Sequence, residues 1–484
     1  MSSFPYKTIP YDHQRRALRW LAGRKYAGLF MEQRTGKTKV TLDRAGAEWL
    51  AGRIEALVVI APAGVHTNWT RDEIPLHLSE AVPRRVVEWS ASKARQRGFQ
   101  ERFRASVRES EGHKALFILA INIESVTTDL GKSAIRNTLK RFASLLVVDE
   151  STDIKTPNAK RTKAIKALGR LASQRLILSG FPDPEGPVDL YSQLSFLSPH
   201  IVGSNAASFR AEYCEFEQRF YRGAGAPPVQ VVVGYRNLDK LQGIVAEHCF
   251  RVRRDEVFDM PPKAYTKRYF EMSAEQWRMY SELREEWRTS FADGEEVSAD
   301  LTIVRKGRLQ QIASGYVPTD NPEAHEPIRR IPGPNPRLEA LLDSLQRYPY
   351  PAIIWTRYRM DGDLLMQHLG NDAVRYDGTV KAEEKERAKR RFQKEGKAQY
   401  FIANAQSAGR GLTLHRAQAV FYFSHFWSLE LRVQSEDRPV SPTNAVTYVD
   451  LVASDTVDEE IVEALRAKDD LARRIIGDPL RAWI

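Results

Sequence analysis

The feature that most constrains this chain is a short apolar strand that runs directly into a Gly-Lys-Thr triplet. The segment reads Gly28-Leu-Phe-Met-Glu-Gln-Arg-Thr-Gly-Lys-Thr-Lys39. In a nucleotide-phosphate loop, backbone N–H groups and the next helix start face the phosphates, the Lys reaches the terminal ones, and the Thr hydroxyl ligates magnesium. The pattern therefore predicts ATP and Mg²⁺ as cofactors, held by Arg34, Thr35, Gly36, Lys37 and Thr38. Such a triplet also occurs at ordinary helix starts, so other segments have to decide.

The composition favours an intracellular multidomain protein with a polyanionic partner. With 484 residues, the chain is long enough for two or three domains. Its 73 Lys and Arg residues exceed its 62 Asp and Glu residues, which gives a net charge of +11. This excess favours phosphate contacts with nucleic acid, although a well-solvated cationic surface would produce the same number. The two cysteines, Cys214 and Cys249, exclude a disulfide framework within one chain. No apolar run reaches membrane-spanning length, so we expect a cytoplasmic protein with no membrane partner.

Apolar strands alternate with amphipathic helices in two separate stretches of the chain, which predicts an α/β fold. Continuous apolar runs of this kind suit parallel sheets that are buried on both faces. The runs are Ala56-Leu-Val-Val-Ile60, Ala115-Leu-Phe-Ile-Leu-Ala120, Leu145-Leu-Val-Val148 and Arg175-Leu-Ile-Leu178, then Pro351-Ala-Ile-Ile-Trp355, Ala398-Gln-Tyr-Phe-Ile402 and Ala419-Val-Phe-Tyr-Phe423. Residues 316–337 contain six prolines and are the predicted linker. We expect an ATP-binding domain over 1–200, a helical connector with the linker over 201–335, and a second α/β domain over 336–484.

An acidic pair follows one of the predicted strands. Leu145-Leu-Val-Val148 ends in Asp149-Glu150, about one hundred residues after Lys37 and within the same α/β domain. An ATPase needs two carboxylates beside its phosphate loop, because phosphoryl transfer depends on positioning and charge neutralisation. Asp149 would hold the magnesium, and Glu150 would orient and partly deprotonate the attacking water. A solvated acidic pair at a strand end is common, but its spacing from Lys37 favours the catalytic interpretation.

Further segments follow in a fixed order. A Gln ahead of the phosphate loop, Gln14, can read the adenine edge through its amide. The other segments are Ala61-Pro-Ala-Gly-Val-His-Thr-Asn-Trp69, Val147-Val-Asp-Glu-Ser-Thr-Asp-Ile-Lys155, Leu178-Ser-Gly-Phe-Pro182, Ser407-Ala-Gly-Arg-Gly-Leu-Thr-Leu414 and Gln434-Ser-Glu-Asp-Arg438. In this order they resemble the motifs of superfamily 2 helicases. Within that superfamily the chain is similar to the Swi/Snf-type DNA translocases, and Phe250-Arg-Val-Arg-Arg254, Met260-Pro-Pro-Lys263 and Thr456-Val-Asp-Glu-Glu-Ile461 extend the resemblance over residues 8 to 470.

The resemblance implies two RecA-like lobes with a cleft between them, in which ATP is bound and hydrolysed. It assigns adenine to Gln14, and phosphate and magnesium to the Gly36-Lys37-Thr38 segment. From the second lobe, Gly411 would line the nucleotide cleft and Arg438 would approach the γ-phosphate. The implied DNA-facing residues are Asn68, Trp69, Lys155, Arg357 and Thr413. For Trp69, packing inside the domain is an equally good interpretation.

Two positions depart from the family pattern. The last motif should read Gln-x-x-Asp-Arg-x-x-Arg, but Ser441 stands at the second Arg. Loss of such an arginine finger lowers the rate by a factor on the order of 10³ or more, so Arg438 is the expected finger, with Arg410 as the other candidate. The second departure is Arg34, where many relatives would have Gly. Arg34 would either add a phosphate contact or form a solvated loop tip.

The resemblance leaves several functions open. The first is an ATP-dependent motor, a DNA-dependent ATPase that translocates along double-stranded or branched DNA. The second is a strand-separating or branch-migrating helicase for recombination and repair, which shares every motif above. The third is an ATP-gated DNA clamp with weak hydrolysis. We expect a monomer. The chain has little room for accessory domains, which favours a compact enzyme of a bacterial or phage-infected cell.

Overall fold

The chain divides into two compact units. The computed structural model describes residues 4–183, 185–203, 205–219, 229–293, 296–299, 302–320, 328–408 and 412–479. The first unit comprises Met1–Asp259 and Asp470–Leu480, and the second comprises Met260–Asp469 and Arg481–Ile484. Among the described residues, no helix combines the length and apolarity that crossing a membrane requires.

The first unit is built on a seven-stranded parallel sheet. Its strand order is β3-β4-β2-β5-β6-β1-β9. The strands are β1 Tyr26–Met31, β2 Ala56–Ala61, β3 Arg84–Trp89, β4 Leu116–Asn122, β5 Ser144–Asp149, β6 Gln174–Ser179 and β9 Cys249–Val252; β7 Cys214–Arg219 and β8 Val229–Tyr235 form a separate antiparallel pair. Alternate residues of β1 pack into different apolar clusters, with Phe30 in one and Leu29 and Met31 in the other. The central strands therefore carry apolar residues on both faces, as a sheet with two covered faces requires.

Helices cover both faces of this sheet. They are α1 Asp12–Leu21, α2 Lys37–Leu50, α3 Val65–Asn68, α4 Ile74–His77, α5 Ala91–Ala94, α6 Arg97–Ser110, α7 Asp129–Arg141, α8 Lys160–Gly169, α9 Val188–Leu197, α10 Pro199–Val202, α11 Ala206–Tyr213 and α12 Leu238–His248. A π-helical turn, Trp69–Glu73, joins α3 to α4. Helix α2 begins directly after Gly36, so the predicted phosphate loop does lead from a strand into a helix.

The second unit contains a six-stranded parallel sheet. Its order is β10-β19-β18-β15-β17-β16. The strands are β10 Lys263–Phe270, β15 Ala352–Thr356, β16 Ala373–Tyr376, β17 Tyr400–Asn404, β18 Ala419–Tyr422 and β19 Val446–Ala453; two small antiparallel pairs are β11 Arg288–Ser290 with β12 Glu296–Ser298, and β13 Tyr316–Pro318 with β14 Ile328–Arg330. Two largely parallel sheets confirm the predicted α/β class.

Several helices of the second unit begin at a side-chain cap. Helix α13 follows Ser273, whose hydroxyl accepts from the Gln276 N–H (3.3 Å), while the Gln276 side chain accepts from the Ser273 N–H (3.0 Å). The helices are α13 Ala274–Glu285, α14 Thr302–Ala313, α15 Pro336–Arg347, α16 Arg359–Leu369, α17 Ala382–Gln393, α18 Leu429–Glu436 and α19 Val457–Ile476. Helix α19 starts among residues of the second unit and ends among residues of the first.

The two compact units divide the chain at a different place from the predicted domain boundaries, which stay predictions. The division by contacts falls after Asp259, because β9 joins the first sheet and β10 joins the second. The proline-rich residues 316–337 belong to the second unit, where β13 pairs with β14 and Arg337 is fully buried in an ion pair with Asp458. Proline-rich composition indicates a loop, but it does not show which domain the loop packs on.

Candidate nucleotide site

The phosphate loop connects β1 to α2 in the first unit. Gly36 caps α2 with φ 91 and ψ 35, and a Cβ there would lie 2.2 Å from the Gln14 Nε2 atom. Only glycine fits this position. The first turn of α2 carries no acidic residue, so its N–H groups and helix dipole present a positive end to a phosphate.

The lysine of the loop is held close to the strand end. Lys37 Nζ donates to the carbonyl oxygens of Met31 (2.7 Å) and Glu32 (3.3 Å). It also lies 3.6 Å from the point where a Cβ of Gly180 would be, which brings the loop after β6 beside the phosphate loop. This is the position from which a lysine ammonium can reach a bound phosphate.

Asp149 and Glu150 lie at the carboxyl end of β5. In the strand order, β5 neighbours β6, and β6 neighbours β1. The carboxyl ends of parallel strands meet at one edge of a sheet, so the acidic pair and the phosphate loop share that edge. The Asp149 carboxylate is buried; its Oδ2 accepts from the indole Nε1 of Trp69 (2.8 Å) and its Oδ1 accepts from the Glu150 N–H (3.0 Å). Glu150 has left-handed backbone angles, φ 51 and ψ 62.

The oxygen groups at this edge suit magnesium. Mg²⁺ prefers hard oxygen ligands, and proteins commonly bind it through one or two carboxylates together with substrate phosphates. The Thr38 hydroxyl, in the first turn of α2, and the Asp149 carboxylate are donors of this kind. These two residues would hold the ion, and the charge it supplies would neutralise phosphate oxygens.

Gln14 contacts the phosphate loop. It is 3% exposed, and its Nε2 donates to the carbonyl oxygen of Thr35 (3.2 Å), which also contacts the His13 Nε2 atom (2.8 Å). The Gln14 Oε1 atom accepts from the Tyr11 N–H (3.0 Å). Both ends of the amide are therefore engaged within the chain, and adenine recognition by Gln14 stays a prediction.

Arg34 lies at the exposed tip of the phosphate loop. Its backbone has φ 68, in the left-handed region that favours glycine. This explains why a Gly is expected at this position. Whether Arg34 adds a phosphate contact stays a prediction.

Of the positions in the last two motifs, three lie in the described part of the second unit and two fall outside the described residues. Arg438 is buried, and its Nη1 donates to the carbonyl oxygen of Leu412 (3.3 Å). Thr413 is half-buried on the segment that pairs with it, since the Leu414 N–H donates to the Arg438 carbonyl (3.0 Å). Ser441 contacts the Thr443 hydroxyl (2.9 Å). Gly411 and Arg410 lie outside the described residues.

The residues predicted to face DNA have very different environments. Asn68 is exposed, whereas the adjacent Trp69 is 1% exposed. This burial corrects the DNA-facing interpretation of Trp69, because it leaves no indole surface for DNA. Lys155 is half-buried, 3.6 Å from the Asp189 carboxylate. Arg357 is half-buried and donates to Gln310.

Sequence reasoning missed two contacts of the site. One is the hydrogen bond from Trp69 to Asp149. The other is Arg251, which contacts Glu32 at the start of the phosphate loop (3.2 Å) and Asp478 near the chain end (2.5 Å). Periodicity and spacing carry no signal for contacts across 80 to 227 residues. The segment around Arg251 resembles a family element, but nothing in its sequence indicates that β9 pairs with β1.

Comparison with known proteins identifies the family. A model described as the SNF2-related domain matches residues 13–315, and one described as the helicase conserved C-terminal domain matches residues 336–441. The chain is 23% identical to YwqA of Bacillus subtilis ("Putative ATP-dependent helicase/translocase") over 87% of this chain and 43% of that protein. It is 23% identical to the human "DNA annealing helicase and endonuclease ZRANB3" over 65% of this chain and 28% of that protein. The chain thus spans less than half the length of these relatives.

A solved structure also matches almost the whole chain. It is the "Sulfolobus solfataricus SWI2/SNF2 ATPase core in complex with dsDNA", which is 19% identical, with 99% of this chain and 95% of that chain covered and a TM-score of 0.42. The SNF2-related model covers well over half of the 484 residues, and the C-terminal helicase model follows it in order. The chain belongs to the SNF2-related family of helicase-type proteins.

Proposed function

We propose that this chain hydrolyses ATP and uses the energy to translocate along double-stranded DNA. The observation that carries the proposal is the meeting of the phosphate loop and the Asp149-Glu150 pair at one edge of the first sheet. Membership of the SNF2-related family and the helicase/translocase name of YwqA support the same activity.

The proposed roles follow from the chemistry of each side chain. Lys37 and the N-terminus of α2 bind the phosphates, because both present positive charge. Thr38 and Asp149 hold Mg²⁺, which supplies charge neutralisation. Glu150 orients the attacking water and accepts its proton. Arg438 is the proposed finger for the developing charge, since Ser441 has no charge to offer.

Double-stranded DNA is the proposed partner. The net charge of +11 favours a polyanion. Asn68, Lys155, Arg357 and Thr413 are the residues we propose for DNA contacts, while Trp69 is withdrawn from that set.

Steady-state ATP hydrolysis with different nucleic acids tests the proposal. We expect strong stimulation by duplex DNA compared with no nucleic acid, single-stranded DNA or RNA. Lys37→Ala and Glu150→Gln are expected to abolish turnover, whereas the matched control Lys25→Ala, an exposed lysine before β1, keeps it. Absence of stimulation by any nucleic acid would overturn the motor function. Full DNA-stimulated turnover in Arg438→Ala would overturn the role of Arg438.

A strand-separating or branch-migrating helicase is the second candidate. The human relative's name includes a DNA annealing helicase, which supports it. Unwinding of a forked substrate would identify such a helicase. A translocase would instead displace a third strand from a triplex without separating the duplex.

An ATP-gated clamp with weak hydrolysis is the third candidate, which Ser441 favours because it lacks the charge of the expected Arg. Tight ATP-dependent DNA binding without turnover would identify the clamp.

We further propose that the protein acts as a monomer in the cytoplasm of a bacterial or phage-infected cell. ATP and DNA as substrates require an intracellular location, and both cysteines are reduced and buried. The elution volume during size-exclusion chromatography, with and without DNA, tests the monomer.

A further inference from the structure

We propose that Trp69 is a positioning residue for Asp149, whose carboxylate is the proposed magnesium ligand. The increase in nucleotide affinity that Mg²⁺ causes would then depend on the indole N–H of Trp69. This inference rests on the proposed function. It goes beyond the predicted roles, in which Trp69 either contacts DNA or only fills the core.

The geometry of the hydrogen bond supports a specific role. Trp69 Nε1 donates to Asp149 Oδ2 at 2.8 Å, and both side chains are buried. Hydrogen bonds to ionised acceptors are short and roughly twice as strong as neutral ones. The Glu150 N–H holds the other oxygen, Oδ1, at 3.0 Å. Two donors on different oxygens restrict the rotation of the carboxylate.

Other buried tryptophans show that packing alone does not require such a bond. The indole N–H groups of Trp49, Trp89 and Trp355 have no hydrogen-bond partner among the described residues. Trp89 is as deeply buried as Trp69, at 1% exposure, and belongs to the same unit. The fold therefore accommodates an indole without a bonded N–H, and the contact with Asp149 is specific to Trp69.

The backbone around Trp69 is arranged to make this contact. Trp69 begins the π-helical turn Trp69–Glu73, and π-helical turns are rare and occur frequently at functional sites. Two side chains of the turn are tied to β3: the Thr70 hydroxyl donates to Glu88 Oε2 (2.8 Å), and Arg71 donates to both Glu88 oxygens (3.0 and 3.1 Å). The turn, and with it the indole, is thereby fixed against the sheet.

Binding of ADP measured by calorimetry, with Mg²⁺ and with EDTA, tests the inference without depending on turnover. Removing a residue that orients a metal ligand typically costs 10–100-fold in metal affinity. For Trp69→Phe we therefore expect the ratio of ADP affinities, Mg²⁺ over EDTA, to fall about tenfold, with the EDTA affinity unchanged. Trp89→Phe, which removes an unbonded indole N–H at equal burial, is the matched control and keeps the ratio.

A double-mutant cycle separates positioning from general packing. If Trp69 acts through Asp149, Trp69→Phe has no further effect on the ratio in an Asp149→Asn background. Thr70→Val removes the hydrogen bond from the turn to Glu88 but keeps the Trp69 side chain. Because the turn is then held less firmly, we expect the ratio to fall by a smaller factor. This variant replaces Trp69→Phe if the latter does not fold.

The outcomes distinguish this inference from the proposed function. If the ratio of ADP affinities, Mg²⁺ over EDTA, is the same in Trp69→Phe as in the wild type, only the positioning role is overturned. The same holds for Thr70→Val if Trp69→Phe does not fold. A wild-type protein whose ADP affinity does not respond to Mg²⁺ overturns the metal site, and the proposed function with it.

Discussion

Arg251 and Asp478 form a two-point ion pair beside the phosphate loop, although 227 residues separate them in sequence. Arg251 Nη2 and Nε lie 2.5 and 3.1 Å from the two carboxylate oxygens. The same guanidinium donates to the Phe30 carbonyl (2.9 Å) and to the Glu32 carboxylate (3.2 Å). A residue near the chain end thus supports the strand and the loop that carry Lys37.

Asp478→Ala is expected to destabilise the first unit and weaken nucleotide binding. Removing one partner of a buried ion pair typically costs about 3–5 kcal/mol. Because Arg251 keeps the Glu32 carboxylate at 3.2 Å and is partly exposed, we expect a smaller loss, of about 1–3 kcal/mol. Urea unfolding and ADP affinity measure the two effects. Asp239→Ala is the matched control, because its 3.7 Å pair with Arg474 is exposed and such pairs contribute about 0–1 kcal/mol. Equal losses of stability in the two variants would contradict this account.

The phosphate loop and the acidic pair could be predicted because their signals are local. A strand, a Gly-Lys-Thr triplet and a strand-end Asp-Glu each occupy a few consecutive residues, and parallel pairing brings their ends together. The ion pair between Arg251 and Asp478 could not be predicted, since the sequence around each residue is typical of an ordinary surface charge. Trp69 was undecided for a similar reason: whether an aromatic faces the core depends on packing that only the tertiary structure defines.

Gly28→Ala tests the close approach of β9 to β1, which the sequence did not indicate. A Cβ at Gly28 would lie 2.5 Å from the Cys249 Sγ atom and 3.3 Å from Ile177 Cγ1. Overpacking of this kind costs about 1–3 kcal/mol. We therefore expect a loss of that size in the free energy of unfolding, measured in urea.

The Gly28→Ala/Cys249→Ala double variant removes the clashing sulfur. It is expected to be more stable than the sum of the two single changes predicts. Gly243→Ala, inside α12 with open space around its Cα, is the control and should gain about 0.5–1 kcal/mol. Strict additivity of the two single changes would show that the strands are not packed as described.

Gln14→Ala distinguishes support of the phosphate loop from recognition of adenine. Because the Gln14 amide donates to Thr35, its loss should loosen the loop whatever base the nucleotide carries. One neutral hydrogen bond is worth about 0.5–1.5 kcal/mol, so the affinities for ADP and GDP should both fall, by roughly 2- to 12-fold. Calorimetric titration measures both. A loss confined to ADP would instead establish that Gln14 reads adenine.

Glu88 makes the attachment of the Trp69 turn sensitive to acid. Burial disfavours the charged form of Glu88, but hydrogen bonds from Arg71, Lys93 and Thr70 outweigh it and lower the pKa of the carboxyl to about 2. A depressed folded-state pKa contributes stability above the ordinary value of 4.5, and this contribution is lost as the pH falls toward 2.

The measurement is urea unfolding of wild-type protein and Glu88→Gln between pH 3 and 7. The full shift would correspond to about 3 kcal/mol at about 1.4 kcal/mol per pKa unit, but Arg71 and Lys93 are exposed and water screens their charges. We therefore expect a difference in unfolding free energy of about 1–2 kcal/mol at pH 7, and roughly half of that at pH 3. A difference that stays constant over this range would show that Glu88 ionisation does not hold the turn.

Glu150 has the backbone strain expected of a functional residue, and its replacement separates strain from chemistry. Its φ of 51 is unfavourable for residues with a Cβ by roughly 1–2 kcal/mol, whereas glycine adopts it freely. Glu150→Gly and Glu150→Ala both lack the carboxylate, so both should lose ATP hydrolysis. In urea unfolding, however, Glu150→Gly should be more stable than Glu150→Ala by about 1 kcal/mol, because only alanine retains the strain. Equal stability of the two variants would mean that the strand end relaxes once the carboxylate is gone, and that the left-handed geometry depends on the Glu150 side chain itself.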